Sequence, residues 1–201
     1  MLRQLDRTST MEYAFGMVDI GRRIVVYGPT GSGKTTVAAR IAACLGVHHI
    51  ELDAIAWLPG WVMKPLDEYR ADISKVLNEH TEGWVCDGNY SEVRDLTLPQ
   101  ADTVVRLRLS YRVAFWRVLK RTVTRAWRRE MLWGTNYESW RLSFLSRDSL
   151  LLYQARRWRR HHTRVSADLE RLPHHARVYE LRSPREVEVF LAEVRTGDRK
   201  D

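Results

Sequence analysis

The chain has 201 residues, of which 44% are hydrophobic, and it carries a formal net charge of +8 at pH 7. This length and apolar content suffice for one sizeable core and leave no room for a second full domain. No apolar run approaches the roughly 18 residues that span a membrane, which excludes a membrane-embedded protein. The positive charge predicts an anionic partner, which could be a polyphosphate or a nucleic acid.

One domain with two short flanking segments is expected. Residues 1–20 are predicted to be a flexible N-terminal extension, residues 21–196 a single domain, and residues 197–201 a C-terminal tail. The first twenty residues lack an apolar segment followed by a cleavage site, so no secretory signal is expected. Cys44 and Cys86 show no paired spacing and are expected to be reduced, which favours a cytoplasmic protein.

Short apolar strands alternate with helical patterns along the chain, which is typical of βαβ units and of a parallel sheet covered on both faces. Strands are predicted at residues 23–27, 47–52, 84–87, 103–109 and 177–181. Helices are predicted at residues 34–45, 66–80, 111–130, about 139–163, and 184–195. The pattern predicts a three-layer α/β fold built on a five-stranded parallel sheet.

The sequence GPTGSGKT, residues 28–35, joins the first predicted strand to the first predicted helix. A glycine, four residues and then Gly-Lys-Thr form the phosphate-binding P-loop pattern, and the strand–loop–helix context argues against an ordinary glycine turn. Backbone N–H groups at the helix N-terminus would bind the ATP phosphates, Lys34 the β- and γ-phosphates, and Thr35 Mg²⁺. The predicted nucleotide-binding residues are Gly28, Pro29, Thr30, Gly31, Ser32, Gly33, Lys34, Thr35 and Thr36.

Two aspartates each close a predicted strand, at the carboxyl edge of the sheet where ligands bind. Asp87 ends an apolar strand and is predicted to hold Mg²⁺, directly or through water, beside Thr35. Asp53 follows the preceding strand and is predicted to contact a phosphoryl acceptor. The alternative for either aspartate is a structural role as a helix N-cap.

Basic residues dominate residues 112–164, where the acidic residues are Glu130, Glu138 and Asp148. By their three- and four-residue spacing, the arginines that share one helical face are Arg117, Arg121, Arg125 and Arg128. Such a face suits a lid, at about residues 121–160, that closes on a transferring γ-phosphoryl group. The alternatives are a solvated basic face or a nucleic-acid-binding stripe, with the interleaved tryptophans either stacking on bases or lying in the core.

Several motifs together resemble a known family. They are Asp53 to Trp57, Gly60-Trp61 with Pro65 and Glu68, Trp84 to Ser91, and Ala101-Asp102. With the P-loop, they are similar to the adenylate-kinase-related proteins named after DNA topology modulation (FlaR-type), over about residues 22–191. The resemblance implies a nucleoside-monophosphate-kinase-like fold with a small helical lid, ATP binding, and kinase activity on an acceptor that is poorly defined for the family.

The resemblance also implies roles for individual residues. Asp87-Gly88 matches the Asp-Gly that opens the nucleotide-binding turn of adenylate kinases, in agreement with Asp87 as the Mg²⁺ partner. Arg121 and Arg125 match the arginine pair that adenylate kinases place against ATP. A second arginine group after the lid is represented here by Arg157, with Arg156 and Arg160 as alternatives.

The chain departs from the family pattern at two places near the predicted site. Adenylate kinases follow Asp-Gly with Phe-Pro-Arg, whose arginine binds the acceptor phosphate, whereas Asn89-Tyr90-Ser91 stands here. The next arginine is Arg94, which we expect to face the acceptor. Many relatives also end the fourth strand with Leu-Asp, where this chain has Leu107-Arg108.

The sequence thus predicts an ATP- and Mg²⁺-dependent phosphotransferase. Its catalytic residues would be Lys34, Asp87, Arg121, Arg125 and Arg157, with Thr35 and Asp87 on the metal and Asp53 and Arg94 at a small-molecule or nucleotide acceptor. The alternative is a nucleotide-switched nucleic-acid-binding protein with weak ATPase activity, which the basic helices and the name of the family favour.

Overall fold

A parallel sheet lies at the centre of the computed structural model, which describes residues 3–4, 18–128, 131–132, 136–137, 172–173 and 175–197. The strands are β1 Arg3–Gln4, β2 Arg23–Tyr27, β3 His48–Glu51, β4 Trp57–Leu58, β5 Val62–Met63, β6 Trp84–Asp87, β7 Thr103–Leu107, β8 Met131–Leu132, β9 Asn136–Tyr137 and β10 Arg177–Leu181. The α-helices are α1 Lys34–Leu45, α2 Leu52–Ala56, α3 Leu66–Glu79, α4 Arg94–Thr97, α5 Tyr111–Arg128 and α6 Pro184–Gly197. Two 3₁₀ turns, Ser91–Val93 and Leu98–Gln100, flank α4.

The strand order in the main sheet is β1-β10-β7-β2-β6-β3. The five strands from β10 to β3 are parallel, and β1 pairs antiparallel with β10 at one edge. Strand β2 has β6 and β7 on its two sides, so the loops that follow these three strands meet at the same edge of the sheet. Both faces of β2 are covered, which explains its continuous apolar sequence Ile24-Val25-Val26.

Alternate residues of β2 enter two separate cores. Ile24 and Val26 pack on one face with residues of α1 and α6, including Phe190. Val25 and Tyr27 pack on the opposite face with residues of α2 and α3. The sheet therefore lies between two layers of helices, and the predicted three-layer fold with five parallel strands is confirmed.

The main differences from the predicted elements are at their ends. Strand β3 ends at Glu51 because the chain enters α2 at Leu52, and β7 ends at Leu107, two residues earlier than expected. Helix α6 reaches Gly197. The helix predicted at about residues 139–163 lies outside the described residues. Within the described ranges, no helix is both long enough and apolar enough to cross a membrane.

Part of the N-terminal segment contacts the sheet. Arg3–Gln4 form β1 against β10. The backbone oxygen of Asp19 accepts a hydrogen bond of 2.7 Å from the Tyr179 hydroxyl. The side chains of Val18 and Ile20 pack against the first core. The other residues of the expected flexible extension lie mostly outside the described ones.

A buried carboxylate joins the ends of β7 and β10. Glu180 is 2% exposed, and its oxygens lie 3.3 Å from Nη1 of Arg106, 3.3 Å from Nη1 of Arg108 and 2.6 Å from Nη2 of Arg182. Burial alone would raise the pKa of Glu180, but the hydrogen bond from Arg182 and the charges of the three arginines outweigh it and lower the pKa. Arg108, which stands where many relatives of the resembled family have aspartate, thus has its counter-charge on the neighbouring strand.

We expect Glu180→Gln to destabilise the protein at pH 7 by about 3 kcal/mol, because it leaves the buried guanidinium of Arg106 without this carboxylate. A lowered folded-state pKa stabilises the protein above the ordinary carboxyl pKa of about 4, and this contribution is lost as the pH falls through the lowered value. The difference between the variant and the wild type should therefore shrink in acid. Urea denaturation across this pH range measures it.

Glu188→Gln is the matched control, since Glu188 pairs with Arg40 on the exposed surface. We expect it to change stability little. Equal effects of the two substitutions would contradict the assigned role of Glu180.

Candidate active site

The P-loop connects β2 to α1 at the carboxyl edge of the sheet. Gly31 and Gly33 have φ angles of 80° and 88°, in the left-handed region that favours glycine. The backbone N–H of Ser32 donates to the carbonyl of Pro29 at 3.0 Å, and α1 begins at Lys34. The loop therefore directs backbone N–H groups toward the start of a twelve-residue helix, where an anion is favoured.

Polar side chains of the loop remain available to a ligand. Lys34 and Thr35 are partly exposed at the start of α1, and Thr36 is exposed. Ser32 is 1% exposed, and its hydroxyl oxygen has no hydrogen-bond partner within the described residues. A buried hydroxyl without a partner is costly, so the loop has polar capacity that a bound phosphate can use.

Helix α5 packs directly on the P-loop. A Cβ atom at Gly31 would lie 2.4 Å from the carbonyl oxygen of Ala114 and 2.5 Å from Val118, so only glycine fits. Arg117 donates a hydrogen bond of 3.1 Å from Nη1 to the carbonyl oxygen of Ser32. This interaction puts a guanidinium beside the phosphate-binding backbone.

Arg117 was predicted to lie on the arginine face of α5 but was not among the predicted catalytic residues. It shares the predicted face with Arg121, which lies one turn further along and is partly buried. Arg125 belongs to the same helix, but its side chain is outside the described ones, and Arg156, Arg157 and Arg160 are outside altogether. The resemblance pointed to Arg121 and Arg125, but the same four-residue spacing also fits Arg117 and Arg121, and Arg117 donates a hydrogen bond to the loop.

Asp87 ends β6 beside both β2 and β3. It is 2% exposed, and neither carboxylate oxygen accepts a hydrogen bond within the described residues. Nε2 of His49, on β3, lies 3.5 Å from Oδ1 of Asp87. A buried carboxylate without hydrogen-bond donors is unfavourable unless a cation compensates it. An oxygen donor of this kind suits Mg²⁺ together with the hydroxyl of Thr35.

The segment after Asp87 contacts the P-loop through Asn89. Its side-chain Nδ2 donates to the carbonyl of Gly28 at 2.7 Å, and the N–H of Gly28 donates to Oδ1 of Asn89 at 3.4 Å. Asn89 therefore hydrogen-bonds to both the N–H and the carbonyl of Gly28. These two bonds hold the first residue of the P-loop in place. Sequence analysis identified Asn89 only as part of a family motif.

The next residue contacts Asp53. The hydroxyl of Tyr90 donates to Oδ1 of Asp53 at 2.7 Å, and the ring of Tyr90 packs edge-on against Tyr69 at 5.5 Å. Burial, then the charge of Asp53 and the hydrogen bond to it, raise the pKa of Tyr90. Tyr90 therefore keeps its proton and orients the carboxylate.

The position expected for Asp53 was wrong in one respect. The strand ends at Glu51, and Asp53 lies in the first turn of α2, where a carboxylate interacts favourably with the helix N-terminus. It is not the N-cap, which is Glu51.

Arg94 begins α4 on the side of the sheet that carries Tyr27. Its guanidinium carbon is 5.8 Å from the centroid of the Tyr27 ring, and its Nη2 is 3.4 Å from the carbonyl oxygen of Asn89. Arg94 is thus next to the segment that binds the P-loop and Asp53. The acceptor candidates Asp53 and Arg94 both contact residues 89–90.

Comparisons with known proteins agree with a P-loop nucleotide-binding domain. The sequence profile of the ATPase family associated with various cellular activities (AAA) matches residues 24–82. Cell division protein C of Sulfolobus acidocaldarius is 36% identical over 61 residues, which cover 30% of this chain and only 15% of that protein.

Solved structures with similar folds include two small kinases. A gluconokinase from Sinorhizobium meliloti has a TM-score of 0.49 and 22% identity, over 89% of this chain and 92% of that one. A shikimate kinase from Bacteroides thetaiotaomicron has a TM-score of 0.47 and 18% identity, over 87% and 97% of the two chains. The strand order, the P-loop and the AAA profile give this chain the α/β fold of P-loop nucleoside triphosphatases.

We expect Asn89→Ala to weaken binding of a non-hydrolysable ATP analogue by about tenfold, because it removes two hydrogen bonds of roughly 0.5–1.5 kcal/mol each from the Gly28 peptide. Isothermal titration calorimetry measures the change. Asn78→Ala, at an exposed position of α3, is the control and should bind as the wild type does. Unchanged affinity in Asn89→Ala would show that the loop does not depend on this side chain.

Proposed function

We propose that this protein is an ATP- and Mg²⁺-dependent phosphotransferase that passes the γ-phosphoryl group of ATP to a small acceptor bound beside Asp53. The observation that supports it most strongly is Asp87, a buried carboxylate without a hydrogen-bond donor among the described residues, on the strand next to the P-loop strand. A stable apo domain gains nothing from such a group, whereas a metal site needs it.

The donor half of the reaction uses the P-loop. Residues 28–36 hold the phosphates through backbone N–H groups, and Lys34 neutralises the β- and γ-phosphates. Thr35 and Asp87 would hold Mg²⁺, whose charge would offset the negative charge of the phosphates.

Arginines of α5 supply positive charge to the group in transfer. Arg117 donates a hydrogen bond to the loop carbonyl of Ser32, so its guanidinium is close to the backbone that would hold the phosphates. Arg121, Arg125 and Arg157 extend the same role along the lid. Fixed guanidinium groups of this kind stabilise the charge on the equatorial oxygens of the phosphoryl group.

The motifs around Asp53 and Asp87 favour the adenylate-kinase-related family named after DNA topology modulation as the finer assignment. Cys44 and Cys86 are not in disulfides, which suits a cytoplasmic enzyme that draws on cellular ATP. The net charge of +8 includes Arg117, which donates a hydrogen bond to the P-loop carbonyl of Ser32, so ATP itself would balance part of this charge.

A nucleic-acid-binding function is the second candidate, and one observation favours it. Trp116 on α5 is 65% exposed, beside the exposed residues Arg112 and Lys120. An exposed aromatic ring among basic side chains can stack on a base of a single strand. The two candidate functions therefore use different residues of α5. Phosphoryl transfer uses Arg117 and Arg121, whereas nucleic-acid binding uses Arg112, Trp116 and Lys120.

Asp87→Asn should lower Mg²⁺-dependent ATP hydrolysis by on the order of a hundredfold, because it removes the charge that holds the metal. ATP binding without Mg²⁺ should persist, and thermal stability should stay equal or rise, because the buried charge is gone. Hydrolysis measured against Mg²⁺ concentration, with Lys34→Ala as the reference for abolished ATP binding, tests this. Wild-type Mg²⁺ dependence in Asp87→Asn would move the metal to Asp53.

Arg117→Ala and Arg121→Ala should each lower the rate of ATP hydrolysis more than ATP affinity, since their charge is needed most in the transition state. Affinity for DNA or RNA should change little. Arg112→Ala, at an exposed position of the same helix, is the control and should hydrolyse ATP normally.

The nucleic-acid function predicts the opposite effects of these three substitutions on nucleic-acid affinity and ATP hydrolysis. Arg112→Ala would then weaken DNA or RNA binding and reduce its salt slope by about one unit for each phosphate that the protein no longer neutralises, with ATP hydrolysis preserved in the Arg117 and Arg121 variants. Both quantities measured on the same three variants separate the two functions.

A further inference from the structure

The link between the P-loop and Asp53 consists of two consecutive residues. The side chain of Asn89 binds the Gly28 peptide, and the hydroxyl of Tyr90 binds the carboxylate of Asp53. Consecutive Cα atoms are about 3.8 Å apart. The carboxylate is therefore held at a nearly fixed offset from the first residue of the phosphate-binding loop.

The hydrogen bond between Tyr90 and Asp53 has a defined direction. A carboxylate oxygen accepts, so the Tyr90 hydroxyl donates its proton to Oδ1 of Asp53, at 2.7 Å. Because burial raises the pKa of Tyr90, this hydroxyl stays protonated and Asp53 stays on the accepting side.

Asp53 retains capacity for a second donor. An ionised carboxylate has about four lone-pair sites, and the Tyr90 bond uses one of them. Asp53 is partly exposed, so a ligand can reach it. Its orientation is fixed by Tyr90, whose ring is itself packed against Tyr69 at 5.5 Å.

A carboxylate in this position suits one class of acceptor. When an alcohol attacks the γ-phosphorus, its hydroxyl proton must leave, and a carboxylate within hydrogen-bonding reach can take it. When a nucleoside monophosphate attacks, the attacking phosphate oxygen is already deprotonated and no proton has to be removed. A carboxylate beside it would only add repulsion between like charges.

We propose, resting on the phosphotransferase function above, that the acceptor is a small molecule that reacts through an alcohol hydroxyl, and that Asp53 accepts the hydroxyl proton. The hydroxyl oxygen forms a bond to the γ-phosphorus while the bond from that phosphorus to the β,γ-bridging oxygen breaks. ADP leaves with the bonding electron pair, and the proton passes to Asp53. Tyr90 is a positioning residue, and Arg94 is a hydrogen-bond donor for the other oxygens of the acceptor.

The experiment uses the full chain with Mg²⁺-ATP and compares Asp53→Asn with Asp67→Asn, an exposed aspartate in the first turn of α3. Asparagine at position 53 can still accept the Tyr90 hydrogen bond, so the substitution removes basicity and leaves the fold supported. Water is the smallest hydroxyl acceptor, so basal ATP hydrolysis reports on proton removal without knowledge of the natural acceptor.

Asp53→Asn should lower the rate of basal hydrolysis by on the order of a hundredfold, with the affinity for a non-hydrolysable ATP analogue unchanged. Asp67→Asn should match the wild type. Tyr90→Phe should lower kcat by a smaller factor without raising the KM for ATP, a split that a general loss of structure would not produce. Nucleoside monophosphates should neither bind in calorimetry nor appear as diphosphates in phosphorus NMR.

Phosphorylation of any nucleoside monophosphate above the basal rate would overturn the alcohol-acceptor inference and leave the phosphotransferase function standing. Wild-type hydrolysis by Asp53→Asn would also overturn it. A wild-type protein that does not bind Mg²⁺-ATP would overturn the proposed function itself, and this is seen before any acceptor is added.

Discussion

The close approach of other parts of the chain to the P-loop backbone is the constraint on which the site depends. A Cβ atom at Gly28 would lie 2.4 Å from Oγ of Ser32 and 3.0 Å from Cβ of Leu107, and at Gly31 it would meet the carbonyl of Ala114. These neighbours come from the loop itself, from β7 and from α5. The loop is therefore shaped by the sheet and by α5 before any ligand binds, which spares a phosphate ligand the cost of ordering it.

The two buried carboxylates at this edge of the sheet differ in how their charge is balanced. Glu180 has three arginine partners, of which one lies on β7 and the other two directly follow β7 and β10. Asp87 has only the neighbouring His49, at 3.5 Å, within the described residues. The first arrangement stabilises the fold as it stands, whereas the second leaves a charge that a ligand must balance. This difference is the reason that Asp87, rather than Glu180, is proposed to hold Mg²⁺.

The sequence predicted the elements well because their signals are local. The apolar run of β2, the glycines of the loop and the alanine-rich start of α1 are contiguous, and each restricts the backbone where it occurs. The same reasoning located Asp87 at the end of its strand. It misplaced Asp53 because the end of β3 depends on how Leu52 packs into the second core, which no local pattern records.

The interactions that complete the site are not local, and for that reason they escaped prediction. Asn89 meets Gly28 across 61 residues, and Arg117 meets Ser32 across 85 residues. Four arginines of α5 have the same helical spacing. Which of them contacts the P-loop depends on where α5 begins relative to the loop, and the spacing alone does not give that position. Strand β1 lies about 175 residues from its partner along the chain, so its pairing depends on the completed sheet.

In the proposed reaction, the P-loop and the acceptor candidate Asp53 are tied together through residues 89–90, and α5 contacts the P-loop from another side. Asn89 and Tyr90 fix Gly28 and Asp53 to the same short segment, so these two points cannot move apart without breaking hydrogen bonds. On the opposite side, Arg117 contacts the loop through one hydrogen bond from a side chain with many rotamers. In the proposed reaction, positive charge can therefore be moved by the side chain of Arg117, while the separation between Gly28 and Asp53 is set by residues 89–90.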